Sequence, residues 1–231
     1  MQTILITGAN RGLGLEFCRQ YSQQGARIIA CCRQPETATE LKILAQSYWQ
    51  LTIHPLDVSD FAQIEQLAAQ LKDETIDIII SNAGVYGDSA HHRFGALNYD
   101  SWEDTLRINT LAPVKLIESF LSQLQKSDNA TVVAITSLMG SISDNSSGGS
   151  ICYRSSKAAL NAAMKTLAIN LKDDRIAVLI LHPGWVKTDM GGNNAPMNPQ
   201  DSIAGMRQVI ADFNLEKSGA FLNYRGDALP W

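Results

Sequence analysis

The chain has 231 residues, of which 45% are hydrophobic and 18% are charged, a composition that excludes an intrinsically disordered protein. Its 19 Lys and Arg residues against 23 Asp and Glu residues give a net charge of −4, which argues against a nucleic-acid-binding protein and against a polybasic membrane-surface protein. No apolar run approaches the ~20 residues of a membrane span, and the opening sequence MQTILIT lacks the pattern of a signal peptide. We therefore expect a cytoplasmic protein with no membrane and no nucleic-acid partner.

Short β-rich runs alternate with helical patterns along the whole chain. The runs that predict strands are residues 2–6, 26–31, 50–54, 76–80, 131–136, 176–181 and 219–223. The patterns that predict helices cover residues 12–24, 36–46, 61–71, 102–124, 153–171 and 200–213. Strands rich in Ile, Val and Leu that are separated by helices are typical of a parallel sheet covered on both faces. The sequence therefore predicts one α/β domain over residues 1–231, a Rossmann-type, doubly wound parallel sheet of about seven strands.

The turn between the first strand and the first helix is rich in glycine and has the sequence TGANRGLG over residues 7–14. Gly8, Gly12 and Gly14 follow a G-x-x-x-G-x-G spacing, not the G-x-G-x-x-G spacing. Such a turn lets the backbone approach a nucleotide pyrophosphate at the positive end of a helix. A plain tight turn is the alternative, but the position after the first strand favours the nucleotide site.

The end of the second strand bears on which nicotinamide cofactor is bound. NAD-binding proteins of this type place an acidic residue here for the ribose 2′-hydroxyl, whereas this chain has Cys31, Cys32 and Arg33. Arg33 and Arg11 are suited to a 2′-phosphate, because a guanidinium binds phosphate through two parallel hydrogen bonds. The sequence favours NADP(H) over NAD(H); the alternative is that both arginines are solvated surface residues.

A tyrosine and a lysine share one face near the start of the predicted helix 153–171. Tyr153 and Lys157 are four positions apart, and a nearby ammonium lowers the pKa of a phenol from about 10 toward the range useful for acid–base chemistry. Ser137 follows the fifth predicted strand and falls on the same edge of the sheet, where its hydroxyl can bind a substrate carbonyl. Asn109 interrupts a predicted helix, and taken alone it is interpreted as a buried capping or kink residue.

Together these motifs resemble the short-chain dehydrogenase/reductase family over essentially the whole chain. The glycine-rich turn, the sequence Asn82-Ala83-Gly84, Asn109, Ser137, the Tyr153/Lys157 pair and Pro183-Gly184 occur in the family's order. Within the family, the chain is most similar to the sniffer-like carbonyl reductases and the C-factor group, on the glycine-rich turn, the Cys-Cys-Arg strand end and the tail of residues 221–231.

The resemblance implies a role for each matching residue. Tyr153 would be the general acid or base, Lys157 would lower its pKa and bind the nicotinamide ribose, Ser137 would hold the carbonyl oxygen, and Asn109 would hold a water of a proton relay. The implied cofactor contacts, besides Tyr153 and Lys157, are Gly8, Asn10, Arg11, Gly12, Leu13, Gly14, Arg33, Asp57, Val58, Asn82, Ala83, Gly84, Pro183, Gly184, Val186 and Thr188. For Asp57 a strand-end cap is an equally good interpretation.

These expectations describe an NADP(H)-dependent enzyme that reduces an aldehyde, ketone or quinone to an alcohol. The alternative is a C-factor-like signalling or regulatory protein that binds NAD(P) with little turnover. The family also implies a homodimer or homotetramer. Because the four cysteines, Cys18, Cys31, Cys32 and Cys152, show no metal-ligand spacing, we expect reduced thiols and no metal site.

Overall fold

The structure is a computed structural model that describes residues 1–89, 91 and 94–231. Its strands form one sheet in the order β3-β2-β1-β4-β5-β6-β7, and every neighbouring pair is parallel. The strands are β1 Thr3–Thr7, β2 Arg27–Cys32, β3 Leu51–Pro55, β4 Ile78–Ser81, β5 Thr131–Ile135, β6 Ala177–His182 and β7 Phe221–Asn223. The predicted Rossmann-type, doubly wound sheet is therefore confirmed.

Helices lie on both faces of this sheet. They are α1 Gly12–Gln23, α2 Thr39–Ser47, α3 Phe61–Gln70, α4 Tyr99–Leu106, α5 Ala112–Ser119, α6 Leu121–Leu124, α7 Ile151–Asn170 and α8 Pro199–Ala211. None of the helices in the described part of the chain combines the length and the apolar character needed to cross a membrane.

The two faces of the sheet bury separate cores because consecutive side chains of a strand point in opposite directions. In β1, Ile4 and Ile6 join the cluster that includes side chains of α1, α2 and α8. Leu5 joins the cluster that includes side chains of α3, α5 and α7, together with Ile29 of β2 and Ile79 of β4, its direct neighbours in register. All five residues of β1 are buried, so this strand lies at the centre of the molecule.

The sequence predicts one long helix over residues 102–124, and the structure divides it. Between α4 and α5, residues Arg107–Leu111 form a π-helical segment, in which the amide of Ala112 donates to the carbonyl of Arg107, five residues back. Pro113 supplies the physical reason, since it has no N–H to donate to the carbonyl of Asn109, four residues earlier. The segment places Asn109 at a local distortion of the helix, where the residue is 99% buried.

Candidate active site

The turn between β1 and α1 depends on close backbone approach. Gly8 and Gly12 have φ values of +65° and +55°, a region that glycine adopts without a steric penalty. A Cβ on Gly14 would lie 2.1 Å from the carbonyl oxygen of Gly8, so α1 packs directly against the turn. Arg11, the residue before α1, makes no side-chain cap, which leaves the amides of the first helical turn for an anion. Asn10 and Leu13 belong to the same turn.

Asn82 fastens the end of β4 to this turn. Its side-chain amide donates to the carbonyl of Thr7 at 2.9 Å and to that of Gly8 at 3.3 Å. The Thr7 hydroxyl accepts in return from the backbone amides of Asn82 and Ala83, both at 3.1 Å. The switch point of the sheet between β1 and β4, where nucleotides bind in such folds, is thus held by a reciprocal set of hydrogen bonds.

The two arginines assigned to the 2′-phosphate are both exposed, and they lie after different strands. Arg33 directly follows β2. Arg11 forms an ion pair with Asp189 at 2.5 Å, and the side chains are 68% and 75% exposed. This pair links the glycine-rich turn to the segment after β6.

Asp57 and Val58 follow β3 on the same edge. The Asp57 carboxylate accepts from the Ser59 amide at 2.9 Å and from the Ser59 hydroxyl at 2.7 Å. Asp57 therefore closes a local turn after β3, in agreement with the strand-end interpretation. The adenine contact of this segment stays a prediction.

The segment after β6, expected to hold the nicotinamide, approaches the glycine-rich turn. Gly184 has a φ of +84°, and the Ser202 hydroxyl donates to the carbonyl of Pro183 at 2.7 Å. Val186 forms an isolated parallel bridge with Met197, which folds the segment back on itself. Thr188 lies beside Gly12, where a Cβ on the glycine would lie 3.5 Å from the Thr188 methyl group.

Tyr153, Lys157 and Ser137 converge at the ends of β5 and α7. The Lys157 ammonium donates to the carbonyl of Ile135 at 2.9 Å and lies 5.8 Å from the centroid of the Tyr153 ring. Ser137 lies close enough to the Tyr153 hydroxyl to lower the pKa of the phenol, and its own hydroxyl accepts from the amide of Met139 at 3.1 Å. The structure thus brings together the three groups that the sequence predicts for one site.

Burial governs the acid–base properties of this site. It raises the pKa of Tyr153 to about 12; the hydrogen bond with Ser137 lowers this pKa, and the neighbouring Tyr86 raises it. Burial also lowers the pKa of Lys157 to about 8. The sequence predicts a lowered phenol pKa, whereas the pKa in the structure is raised because desolvation by burial is the largest effect on the phenol. The Lys157 ammonium is bound to the carbonyl of Ile135. A phenol with this pKa is neutral at pH 7.

Asn109 joins the loop after β4 to α7. Its side-chain oxygen accepts from the Val85 amide at 2.9 Å, and its side-chain nitrogen donates to the Val85 carbonyl at 2.8 Å and to the Ser156 hydroxyl at 3.0 Å. Gly84 lies against the same side chain, since a Cβ there would lie 3.1 Å from the Asn109 oxygen. Asn109 is thus a buried structural residue beside the candidate catalytic group, while the water-relay role stays a prediction.

Two residues near Tyr153 were missed by sequence reasoning. The Asp88 carboxylate accepts from the backbone amides of Cys152 at 3.2 Å and Tyr153 at 2.8 Å, and so caps α7 from another part of the chain. The Tyr86 ring is tilted by 37° against the Tyr153 ring, with centroids 5.0 Å apart, and its hydroxyl forms a hydrogen bond with the Ser150 hydroxyl at 2.6 Å. Both lie in an irregular segment after β4, where no periodicity or spacing marks a partner.

A cavity of about 910 Å³ opens beside this site, at the start of α7. Its walls include Tyr86, Met139, Ile142 and Arg154, whereas Tyr153 and Ser137 are not part of its lining. Tyr86 therefore contacts the Tyr153 ring and also forms a wall of the cavity. Within the described residues, no group of three or more His, Cys, Asp or Glu side chains is arranged to hold a metal ion.

Comparison with known proteins places this geometry in context. The family model for short chain dehydrogenase matches residues 2–199. The chain is 40% identical over 156 residues to the C-signal protein of Myxococcus xanthus, and the match covers 68% of this chain and 93% of that protein.

Two solved structures resemble the whole chain. Carbonyl reductase Sniffer of D. melanogaster is 36% identical, with a TM-score of 0.94 and complete coverage of both chains. An NADPH-bound carbonyl reductase from chicken fatty liver is 34% identical, with a TM-score of 0.93 and coverage of 100% of this chain and 99% of that one.

Proposed function

Because this chain belongs to the short-chain dehydrogenase family, we propose that it is an NADP(H)-dependent oxidoreductase that reduces an aldehyde, ketone or quinone to an alcohol. The observation that carries the proposal is the convergence of Tyr153, Ser137 and Lys157 at the carboxyl edge of the sheet. The glycine-rich turn ends at the same edge, next to the residue Thr188. The fold thus brings a candidate phosphate site and a candidate proton donor to one edge of the sheet.

In the proposed reaction, the cofactor supplies the hydride and the chain's own residues handle the carbonyl oxygen. Tyr153, neutral at pH 7 because burial raises its pKa to about 12, gives its proton to that oxygen as negative charge develops. Ser137, oriented by the Met139 amide, holds the oxygen beside the phenol. Lys157 supplies positive charge near the phenol and a donor for ribose hydroxyls. In the reverse direction Tyr153 would accept the proton of the alcohol, which requires positive charge beside the phenol to lower its pKa.

The residues present fit a nicotinamide dinucleotide. The uncapped start of α1 and the glycines of the turn suit a pyrophosphate. A Cβ at Gly14 would collide with the backbone of Gly8 and prevent the close packing of α1 on the turn. Arg33 and Arg11 suit a 2′-phosphate, and a similar carbonyl reductase was solved with NADPH bound. We therefore favour NADP(H) over NAD(H).

A signalling or regulatory role with little turnover is the second candidate, because the chain is 40% identical to a protein named C-signal. The presence of Asn109, Ser137, Tyr153 and Lys157 favours the enzyme. Turnover decides between the two.

The test of the proposed reaction is NADPH oxidation with a panel of aldehydes, ketones and quinones. Tyr153→Phe should lower kcat/KM by about 10²–10⁴-fold, because it removes the proton donor. NADPH affinity should change little. Tyr99→Phe, at a tyrosine that is 64% exposed on α4, is the matched control and should retain full activity. Tight NADPH binding by the wild type without turnover on any compound would favour the regulatory candidate instead.

The cofactor preference is tested at the end of β2. Arg33→Asp should raise the dissociation constant of NADPH by about tenfold or more and that of NADH much less, since an ion pair with the 2′-phosphate is replaced by repulsion. Arg225→Asp makes the same charge change at an exposed site beyond β7 and should leave both constants unchanged. Unaltered NADPH affinity in Arg33→Asp would contradict the assignment of Arg33.

A further inference from the structure

Three hydrogen-bond donors converge on one main-chain oxygen, that of Trp231. The Ser143 hydroxyl donates to it at 2.7 Å, the Ser143 amide at 3.0 Å and the Ser141 hydroxyl at 3.1 Å. Ser141 is 98% buried, and its hydroxyl also accepts from the amide of Asp144 at 3.1 Å. The tail of the chain therefore fixes the loop that separates Ser137 from Tyr153.

The tail is anchored to the sheet and the core. The Leu229 amide donates to the carbonyl of Phe221 at 2.9 Å, and Leu222 and Ala228 form an antiparallel bridge. The Trp231 ring packs against the buried ring of Phe221, with centroids 5.6 Å apart. The oxygen that receives the three donors is therefore attached to β7 and held in position relative to the sheet.

A short segment of the loop, residues 138–141, connects the tail contacts to Ser137. Residues Leu138–Gly140 form one 3₁₀ turn, and the Ser141 amide closes it by donating to the Leu138 carbonyl at 2.9 Å. A Cβ on Gly140 would lie 2.8 Å from the Lys157 carbonyl carbon, so the turn packs directly on α7. Ser137 accepts from the Met139 amide of the same turn. A shift of Ser141 therefore displaces the turn that orients the Ser137 hydroxyl.

We propose that Trp231 is a positioning residue of the carbonyl site, which acts through Ser141 and Ser143 to hold the Ser137 hydroxyl toward Tyr153. We call Trp231, Ser141 and Ser143 the tail clamp. The proposal rests on the proposed reductase function, and it adds a residue that lies beyond the glycine-rich turn and the Tyr153/Lys157 pair. Arg154 holds the far side of the same loop through the Gly148 carbonyl at 3.2 Å and the Ser147 hydroxyl at 2.9 Å. It also donates to the Met139 carbonyl at 3.5 Å, so the clamp and Arg154 both act on the half next to Ser137.

The first test removes the two side-chain donors and leaves the tail itself unchanged. The double variant Ser141→Ala/Ser143→Ala should lose about tenfold in kcat/KM for the carbonyl, with the NADPH dissociation constant within twofold of the wild type. Ser146→Ala, at an exposed serine of the same loop, is the matched control and should keep wild-type values. A double variant with unchanged kcat/KM would overturn the proposal, as would equal losses in carbonyl turnover and NADPH affinity.

A double-mutant cycle separates positioning from general stability. In the Ser137→Ala background, the same two substitutions should lower kcat/KM by less than about twofold further, because the group that the clamp positions is already gone. A full additional tenfold loss in that background would show that the clamp supports the fold and does not act through Ser137.

Hydrogen exchange provides a reading that does not depend on turnover. Trp231→Ala removes the ring that packs on Phe221 and so loosens the main-chain oxygen at this position. Exchange of the amides of residues 138–143, including Ser143, should become faster, with little change in α1. If the wild type turns over no carbonyl, the proposed function fails and takes the catalytic role of the clamp with it. Unchanged exchange at residues 138–143 would independently show that Trp231 does not hold the loop.

Discussion

The cofactor end and the catalytic end of the carboxyl edge are held in different ways. At the end of β1 the close packing of the turn requires the absence of a side chain, since Gly14 packs against the backbone of Gly8, and Asn82 of the β4 end fastens the turn. At the end of β5 the chain is positioned by side chains from distant segments, among them Asn109 and Asp88. The difference shows that the glycine spacing of a candidate phosphate site is a local signal in the sequence, whereas the surroundings of the candidate proton donor come from several parts of the fold.

The largest effect expected from this difference is at the cofactor end, in Gly14→Ala. The added Cβ would lie 2.1 Å from the Gly8 oxygen, a backbone atom, so the turn or α1 must move. We expect a loss of about 3 kcal/mol or more in the free energy of unfolding and more than about a hundredfold in NADPH affinity. Thermal denaturation and fluorescence titration measure the two quantities.

Gly25→Ala is the control for that variant. Gly25 has a φ of +79° but nothing within 4 Å of an added Cβ, so the substitution strains the backbone without a collision. It should lower stability by about 1 kcal/mol and leave NADPH affinity unchanged. Equal affinities in the two variants would contradict the close-packing account of the turn.

The same difference explains how much could be predicted from the sequence. The strand pattern and the glycine spacing are local signals, and they identified seven strands and the turn at residues 7–14. Tyr153, Lys157 and Ser137 were also placed together, because parallel strands end on one edge of the sheet. The roles of Asp88 and Trp231 depend on contacts across 64 or more positions of the chain, which no local pattern encodes.

An intermediate effect is expected at the catalytic end, in Asn109→Ala. The substitution leaves the amide and carbonyl of Val85 and the hydroxyl of Ser156 without the partner that Asn109 provides. Because unpaired buried polar groups are costly, the free energy of unfolding should fall by about 2–3 kcal/mol. Asn129→Ala, at an exposed residue, should cost less than about 0.5 kcal/mol. Equal denaturation midpoints for the two variants would contradict the structural role assigned to Asn109.

The acid–base behaviour of the site was the part that the sequence predicted wrongly. A Tyr–Lys spacing of four positions predicts attraction and a lowered phenol pKa, but spacing carries no information about burial. In the structure, the Lys157 ammonium is directed to the Ile135 carbonyl, and burial raises the Tyr153 pKa to about 12. Desolvation depends on the whole surrounding fold, and for that reason it became visible only in three dimensions.

The smallest expected effect is a pH dependence of stability from His182, at the end of β6. Burial lowers the pKa of His182 to about 4, and its buried Nδ1 atom has no hydrogen-bond partner among the residues that the structure describes. Between pH 6.5 and 4 the unfolded chain binds a proton at this residue that the folded chain does not, so its contribution to stability is complete above pH 6.5 and falls as the pH decreases. Linkage gives a loss of about 2 kcal/mol between pH 7.5 and pH 5. In His182→Asn that part of the pH dependence of stability should disappear, as measured by urea denaturation at each pH. If stability falls with decreasing pH as steeply in the variant as in the wild type, His182 is protonated in the folded state. The end of β6 would then be more open to water than its burial indicates.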